Sequence, residues 1–462
     1  MNKLAKAICK YRKMILIVGM LLLIPAAIGM KMTRINYDIL VYLPEDIETI
    51  QGEKILSEDF DMGGYSIVII ENMKEKDILQ LEDEIKKMEN VEKVVSIADV
   101  IGTEIPKEML PTKVQDMIYN DNKTIMMVTF KEQLSSDETM KSVDTLKKIT
   151  DDKCKISGMT ATILDTRELS DSEVVIYVVI AVILCLIVLQ LALDSYFAPI
   201  LLLANIGIAV LYNMGTNIFL GEISYITKAI SAVLQLGVTM DFAIFLYHSY
   251  IAEQKNVKDK NEAMANAITK TFSSVLGSSL TTIAGFLALC SMNLTLGKDI
   301  GLVMAKGVLF GVVSVVTILP AMILTFDKLI EKTRHREILP KFAKLRDFTI
   351  KHYIVIAISF VIILPIAYFG YKNTQVYYDL DRSLPKDLPS VEANTSLKED
   401  FNMVSMEMLL IDKDIPEYKA NELIEKIENL DGIEWVLGYS KLGSSRNSKR
   451  CNSWKSITNI PK

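Results

Sequence analysis

The sequence has few cysteines, and none has the spacing of a disulfide framework or a metal site. Two of them, Cys185 and Cys290, lie in apolar runs and are interpreted as packing residues. The full set is Cys9, Cys154, Cys185, Cys290 and Cys451. The sequence therefore indicates no metal and no cofactor.

Sequence motifs for enzyme chemistry are missing as well. We find no Walker motif, no nucleophile elbow and no zinc-ligand spacing, so an enzymatic function is not expected. No strongly basic domain suggests a nucleic-acid partner, and the net charge of −6 averages membrane and water-exposed parts. Any activity that requires energy must therefore draw it from an ion gradient or a partner protein.

Long apolar runs dominate what is present. Hydrophobic residues make up 50% of the 462 residues, and a run of about 20 apolar residues suffices to cross a bilayer. The predicted spans are Met14–Met30, Val174–Leu193, Ala198–Asn217, Tyr225–Tyr250, Phe272–Met292, Ile300–Phe326 and Tyr353–Tyr371. The fold class is thus an α-helical polytopic membrane protein with about seven transmembrane helices.

The distribution of Lys and Arg predicts the orientation in a plasma membrane. The basic start resembles a signal peptide, but no clear cleavage site follows it, so we interpret the first span as an uncleaved anchor. The N-terminal tail and the linker after the sixth span are both rich in cations, namely Lys3, Lys6, Lys10, Arg12 and Lys13, then Lys328, Lys332, Arg334, Arg336, Lys341, Lys344 and Arg346. Both are expected to be cytoplasmic, which places the two large polar stretches outside.

The chain repeats itself after about 341 residues, a period far too long for a solenoid. The polar text "YLPEDIETIQGEKILSEDFDM" returns as "SLPKDLPSVEANTSLKEDFNM", and Tyr37-Asp38 returns as Tyr378-Asp379. Because polar blocks match in the same order as apolar ones, chance similarity between two apolar spans does not explain the repeat.

The first polar stretch predicts a ferredoxin-like βαββαβ domain. Its elements are Ser66–Met73, Asp77–Glu89, Val91–Val100, Thr124–Lys131, Asp137–Thr150 and Lys155–Thr162. The second copy supplies only a strand, a helix and a strand, at Ser405–Ile411, Glu417–Asn429 and Ile433–Leu437. After Leu442 the basic text matches nothing in the first copy. We favour an interrupted or frame-shifted gene over a natural disordered tail.

These observations divide the chain into seven segments. They are a tail with the first helix (1–30), an extracytoplasmic α+β porter-like domain (31–172), a five-helix cluster (173–326), a basic linker (327–352), a seventh helix (353–372), an incomplete second porter-like domain (373–442) and an aberrant basic tail (443–462).

Three motifs resemble one transporter family. Gly237-Val-Thr-Met-Asp241-Phe242 followed by "AIFLYHSYIAEQ", then "SSVLGSSLTTIAGFLAL", then "GLVMAKGVLFGVVSVVTILPAMIL" resemble the fourth to sixth spans of the MMPL (mycobacterial membrane protein large) branch of the RND superfamily. The cluster also corresponds to the sterol-sensing domain of related proteins. Two features depart from the family: Phe242 replaces its tyrosine, and the second five-helix cluster is absent.

The resemblance makes Asp241 the candidate proton-relay residue. It lies about 16 residues into its span, or roughly 24 Å at 1.5 Å per residue, where an ionised carboxylate is costly. Gly237, one turn earlier on the same face, would admit a close neighbouring helix. His248 is a possible link to the cytoplasm, although an interfacial histidine is the simpler interpretation. A carboxyl group that only hydrogen-bonds neighbouring helices is the structural alternative for Asp241.

The fifth span carries small and hydroxyl residues, which serve either helix packing or hydrogen bonding to Asp241. They are Ser274, Ser278, Thr281, Thr282 and Gly285. We include Ser278, Thr281 and Thr282 in the relay. Lys306 lies toward the outer end of the sixth span, and we expect it to snorkel outward.

The expected function is export of a hydrophobic or amphiphilic compound, such as a lipid or drug, driven by the proton-motive force. The resemblance implies this substrate class. The partners would be the substrate, protons, and either the missing second half or another copy. The alternatives are a non-transporting lipid or sterol sensor and a SecD/SecF-like accessory of protein export.

Overall fold

A computed structural model describes most of the chain. It describes residues 2–96, 119–120, 122–150, 153–336, 343–375, 384–404, 406–412, 414–433 and 436. Two compact units make up the chain. We call Met1–Asn36 with Ser170–Leu380 the membrane unit and Tyr37–Leu169 with Asp381–Lys462 the α/β unit.

Seven helices in the described residues are long and apolar enough to cross a membrane, which confirms the seven predicted spans. They are α2 (Arg12–Met32), α6 (Met159–Ala192), α7 (Ala198–Gly215, with a 3₁₀ turn to Leu220), α8 (Tyr225–Gln254), α9 (Lys260–Ala288), α10 (Thr295–Lys332) and α12 (Tyr353–Lys372). The chain is therefore a multi-pass membrane protein. Helix α10 is the most enclosed, because it packs against α2, α7, α8 and α9.

Two spans begin earlier than predicted. Helix α6 begins at Met159 and α9 at Lys260, whereas their apolar runs begin near Val174 and Phe272. Hydropathy marks only the length that suits hydrocarbon. The first turns of α9 expose polar residues on one side and bury small residues such as Ala263 and Ala267 on the other. Packing of this buried side stabilises these turns, although they are not apolar enough to be counted in the span.

Short elements complete the membrane unit. Helix α1 (Asn2–Lys10) buries Ala5, Ile8 and Cys9 against α9 and α10, and α11 (Ala343–Lys351) precedes α12. Strand β1 (Arg34–Asn36) pairs in parallel with β7 (Glu222–Ser224). Helices α2 and α7 touch backbone to backbone, because Gly29 and Gly215 leave no side chain between them.

The α/β unit contains the predicted ferredoxin-like fold. Its elements are α3 (Glu48–Asp59), β2 (Gly64–Glu71), α4 (Glu75–Ile85), β3 (Val91–Val95), β4 (Tyr119–Asn120), β5 (Lys123–Phe130), α5 (Asp137–Thr150) and β6 (Cys154–Ser157). The antiparallel sheet has the order β3-β5-β2-β6, with β4 paired to β5. Alternate residues such as Val68 and Ile70 face α4 and α5 and form the core with them.

The last strand is shorter than predicted. Strand β6 ends at Ser157, and Met159–Thr162, which we predicted as strand, already belong to α6. Gly158 lies between them with a φ of +105°. Glycine adopts this left-handed backbone at little cost, so the strand can turn directly into the helix.

The opposite face of the sheet is covered by a helix from the second repeat. Helix α13 (Pro389–Phe401) packs Ala393, Leu397 and Phe401 onto Ile67 and Ile69 of β2. Polar contacts surround this apolar patch. They join Asp400 to Asn120 and Lys123, Ser396 to Lys155, Asn394 to Ser157, and the Ser390 backbone amide to Asp165. The sequence did not predict this exchange between repeats.

The rest of the second repeat is partly described. Helix α14 (Glu417–Glu428) agrees with the predicted helix. The described residues between 406 and 411 form no strand, contrary to prediction. A strand needs paired neighbours, and the described second-repeat residues provide none. Apart from Ile433 and Val436, the predicted strand Ile433–Leu437 and the segment after Leu442 lie outside the described residues.

Candidate functional site

Helix α8 carries the candidate site and divides it between two faces. The helix begins after Ser224, whose hydroxyl oxygen accepts a hydrogen bond from the Ile226 amide at 3.1 Å. Gln235 and Thr239 point into the membrane unit and are fully buried. Gly237 and Asp241, one turn apart, lie on the exposed face. The periodicity of 3.6 residues therefore separates a buried polar row from an open one.

Asp241 lies on the open surface of the membrane unit. Among the described residues, no hydrogen bond or ion pair reaches its carboxylate. Gly237 is equally open, because a methyl group built there would meet no atom within 4 Å. Carboxylates in membrane helices almost always face a protein interior or a water-filled path. An exposed carboxylate is therefore typical of a helix surface that is covered by another helix or by water.

Phe242 faces the other way from its neighbour. Its ring is buried in the core of the membrane unit. Adjacent residues on a helix do not face each other. A tyrosine at this position, as in the family, would therefore place its ring in the core of the membrane unit, whereas Asp241 lies on the exposed face.

Two of the predicted hydroxyl residues of α9 donate their hydroxyl protons within that helix. Thr281 donates to the Gly277 carbonyl at 3.0 Å, and Thr282 donates to the Ser278 carbonyl at 3.0 Å. Ser274, Ser278 and Gly285 are exposed. Within the described residues no hydrogen bond joins these groups to Asp241, so their part in a relay stays a prediction.

His248 lies on the exposed face near the C-terminal end of α8, beside a buried tyrosine. The Tyr247 hydroxyl donates to Asp194 at 2.8 Å, and Arg334 binds the other oxygen of that carboxylate at 2.8 Å. His248 remains exposed. The clamp of Tyr247, Asp194 and Arg334 fixes this end of α8, whereas the role of His248 stays a prediction.

A buried amide network was not predicted. Asn213 donates to the Gln235 side-chain oxygen at 2.9 Å, and Gln235 donates to the Gly307 carbonyl at 3.0 Å. All three are buried. A methyl group on Gly307 would lie 2.6 Å from the Asn213 amide nitrogen, so only glycine admits the pair. The sequence signal that could have indicated this network is the presence of Asn213 and Gln235 within apolar runs.

Lys306 joins this network. Its ammonium group donates to the Asn213 carbonyl at 3.1 Å and to the Asn217 side chain at 2.5 Å. The first acceptor is a backbone carbonyl in the last turn of α7, where the helix dipole attracts cations, and the second is a side-chain oxygen in the 3₁₀ turn that follows. We expected Lys306 to extend outward to water, but it is half-buried and held by the neighbouring helix.

Comparison with known proteins agrees with this architecture. A model of the MMPL family matches residues 42–342. The membrane protein ActII-3 of Streptomyces coelicolor is 32% identical over 31% of this chain and 21% of its own length. Membrane protein YdfJ of Bacillus subtilis is 23% identical over 56% of this chain and 37% of its own. The siderophore exporter MmpL5 of Mycobacterium tuberculosis is 23% identical over 57% and 28%.

The matched part is well under two thirds of each of these relatives. Among solved structures, SecDF in its super-membrane-facing form is 15% identical, with a TM-score of 0.35, over 70% of this chain and 39% of that chain. A similarity at this level has no bearing on function.

Proposed function

Because the family model matches more than half of it, the chain belongs to the MMPL family, and we propose that it handles protons and substrate in a membrane exporter of the RND type. The substrate class we propose is a hydrophobic or amphiphilic compound, such as a lipid or drug. The name of MmpL5 as a siderophore exporter supports export as the activity.

The observation that carries the proposal is the position of Asp241. It lies midway along α8, on the exposed face that also carries Gly237, with no hydrogen-bond or ion-pair partner among the described residues. An ionised carboxylate against lipid costs several kcal/mol by contested estimates. The working protein therefore covers this face with a second helix cluster, from another polypeptide segment or a second copy, and leaves a path for protons.

Proton binding at Asp241 would couple to motion through charge. Protonation removes the charge of Asp241. The exposed face of α8 then tolerates close apolar packing when Asp241 is protonated and favours water when Asp241 is ionised. The two states therefore prefer different distances between α8 and the covering helices. Alternating access to the two sides of the membrane would follow from that difference. The α/β unit would then receive the substrate outside the membrane.

The test replaces Asp241 by asparagine, which keeps size and hydrogen bonding but removes the titratable proton. The chromosomal copy in the source cells carries the change, so that native membranes supply any partner. In inside-out vesicles we expect gradient-driven movement of a lipophilic dye to fall to background, with unchanged amounts of inserted protein. Asp347→Asn, the same chemical change on exposed helix α11, is the control and should keep full activity.

Unchanged efflux in the Asp241→Asn vesicles would refute the relay. A lipid sensor would instead show no gradient-dependent movement in the wild type, while its ligand affinity would be insensitive to the substitution. A SecD/SecF-like accessory would move no dye but would alter secretion of proteins. The same vesicles therefore separate the three functions.

A further inference from the structure

A basic cavity lies where α1 meets the first membrane span. The chain bends at Tyr11 between α1 and α2, and the start of α9 passes beside the bend. The cavity is a cleft of about 790 Å³ that is open to solvent. Its lining consists of Lys6, Cys9, Lys10, Tyr11, Arg12, Lys13, Met14, Asp259, Asn261 and Glu262.

The cations that line the cavity (Lys6, Lys10, Arg12 and Lys13) outnumber its two acids (Asp259 and Glu262). Lys6, Lys10 and Lys13 are exposed and form no ion pair within the described residues. The Asp259 carboxylate accepts a hydrogen bond from the Asn261 amide at 3.0 Å and caps α9. Glu262 lies in the first turn of that helix, where the helix dipole stabilises a negative charge. The cavity thus presents more free positive charge than negative.

Two further residues define the inner wall. Arg12 donates to the Asn261 side chain at 3.0 Å, which ties α2 to α9 and fixes the floor of the cavity. Cys9 is almost fully buried, and burial raises the pKa of its thiol to about 11. The thiol therefore stays neutral at ordinary pH and adds no negative charge.

An apolar surface leads from the cavity along the span. Met14, Ile17, Val18 and Leu21 follow the basic residues on α2, and their side chains are exposed. Because α2 enters the membrane at this point, these apolar side chains extend from the level of the lipid headgroups into the hydrocarbon layer. A ligand with an anionic head and long alkyl chains matches both parts.

We propose that this cavity binds the phosphate-containing headgroup of an anionic phospholipid, whose acyl chains lie along α2. In the proposed orientation the cavity faces the cytoplasmic leaflet, where anionic lipids attract Lys and Arg. The lysines contact the phosphate oxygens, and the apolar stripe distinguishes a lipid from free phosphate. Such a lipid would anchor α1 to the membrane at the point where α1 also packs on α9 and α10.

The experiment titrates the purified full chain in detergent with phosphatidylglycerol or phosphatidylcholine of identical acyl chains, and counts bound lipids by native mass spectrometry. We expect the wild type to bind phosphatidylglycerol at least about tenfold more tightly. The triple variant Lys6→Gln/Lys10→Gln/Lys13→Gln should lose between about tenfold and a hundredfold in affinity for it.

A matched variant controls for total charge. Lys3→Gln/Lys255→Gln/Lys258→Gln removes three exposed lysines that do not line the cavity, and it should bind within about twofold of the wild type. The variant Lys6→Arg/Lys10→Arg/Lys13→Arg keeps the charges and should retain binding, which separates charge from misfolding.

Three outcomes would overturn the proposal. Equal binding of the two lipids by the wild type would remove the headgroup preference. Equal losses in the two glutamine variants would show diffuse surface attraction and no site. Full displacement of the lipid by millimolar inorganic phosphate would assign the cavity to free phosphate, and the lipid would then not be its ligand.

Discussion

At the scale of single residues, the glycines of the membrane helices differ in what a side chain would meet. A methyl group on Gly29 would lie 2.2 Å from the backbone oxygen of Gly215. A backbone atom in a packed helix has no rotamer to change, so the two helices would have to separate. At Gly237 a methyl group would meet nothing within 4 Å. The first glycine is required by packing within the chain, and the second is not.

The first prediction contrasts these two positions. Gly29→Ala should destabilise the membrane unit by about 1–3 kcal/mol, because overpacking forces α2 away from α7. Gly237→Ala, the matched change on an open face, should leave the stability of the purified chain unchanged. Thermal denaturation in detergent, followed by loss of the monodisperse chromatographic peak, measures both. Equal melting temperatures for the two variants would contradict the observed helix contact.

The second prediction concerns the reactivity of Cys154. Burial, assisted by the nearby Glu71 carboxylate, raises the pKa of this thiol to about 11. The thiolate is the reactive form, so labelling by a soluble maleimide should rise about tenfold per pH unit between pH 8 and pH 10. The test uses a variant in which the other cysteines are serine. In urea, the same thiol should react much faster at pH 8, and equal native and denatured rates would refute the shift.

At the residue level the sequence indicates which polar groups lie within apolar runs, but not the direction in which they point. A carboxylate within an apolar run can be recognised in the sequence, so Asp241 could be named as a candidate, and its relay role stays a prediction. Its outward direction was not legible, because α8 is apolar on most sides and periodicity gives no unique inner face. The pairing of Asn213 with Gln235 was equally hidden, since it depends on how α7 and α8 approach Gly307.

At the scale of secondary-structure elements, α13 is the feature that completes the α/β unit. Strand β2 alternates its side chains between two faces, and each face needs a cover. Helices α4 and α5 cover one face with their own repeat. Helix α13 covers the other, where Leu397 and Phe401 are buried against Ile67 and Ile69. A helix from one repeat thus belongs to the core of the other.

The third prediction tests this cover. Leu397→Ala should destabilise the sheet by about 2–5 kcal/mol, because it deletes buried methyl groups and leaves a cavity. Leu423→Ala on α14, a helix without buried residues, is the control and should cost far less. Hydrogen exchange of the β2 amides, measured by mass spectrometry, reports the change. Unaltered protection of β2 in the Leu397→Ala protein would show that α13 does not seal the sheet.

The order of elements in the first repeat followed from the sequence, but the position of α13 did not. Alternation and helical periodicity are local signals, so the βαββαβ order could be predicted. The contact of α13 depends on groups far apart in sequence, such as Ser390 and Asp165, which are 225 residues apart. No periodicity reports which sheet an amphipathic helix selects.

At the scale of the whole molecule, the fourth prediction concerns topology. The excess of Lys and Arg in the tail and linker predicts that both are cytoplasmic. In a variant without native cysteines, Lys74→Cys and Lys398→Cys should react with an impermeant maleimide in intact cells. Arg336→Cys should react only after permeabilisation. All three side chains are exposed, so burial cannot explain a difference. Labelling of Arg336→Cys in intact cells would invert the proposed orientation.

The packing of α13, from the second repeat, on the sheet of the first repeat also has a consequence for biosynthesis. A ribosome adds about 5–20 residues per second, and α13 follows the seven spans found in the described residues. The sheet that contains β2 is translated long before its cover, with a delay on the order of tens of seconds at that rate. During this interval Ile67 and Ile69 remain uncovered on an otherwise finished domain. The first domain can therefore mature only after α12, the span before α13, has been synthesised, and a stalled translocon would leave the apolar face of the sheet exposed to chaperones and proteases.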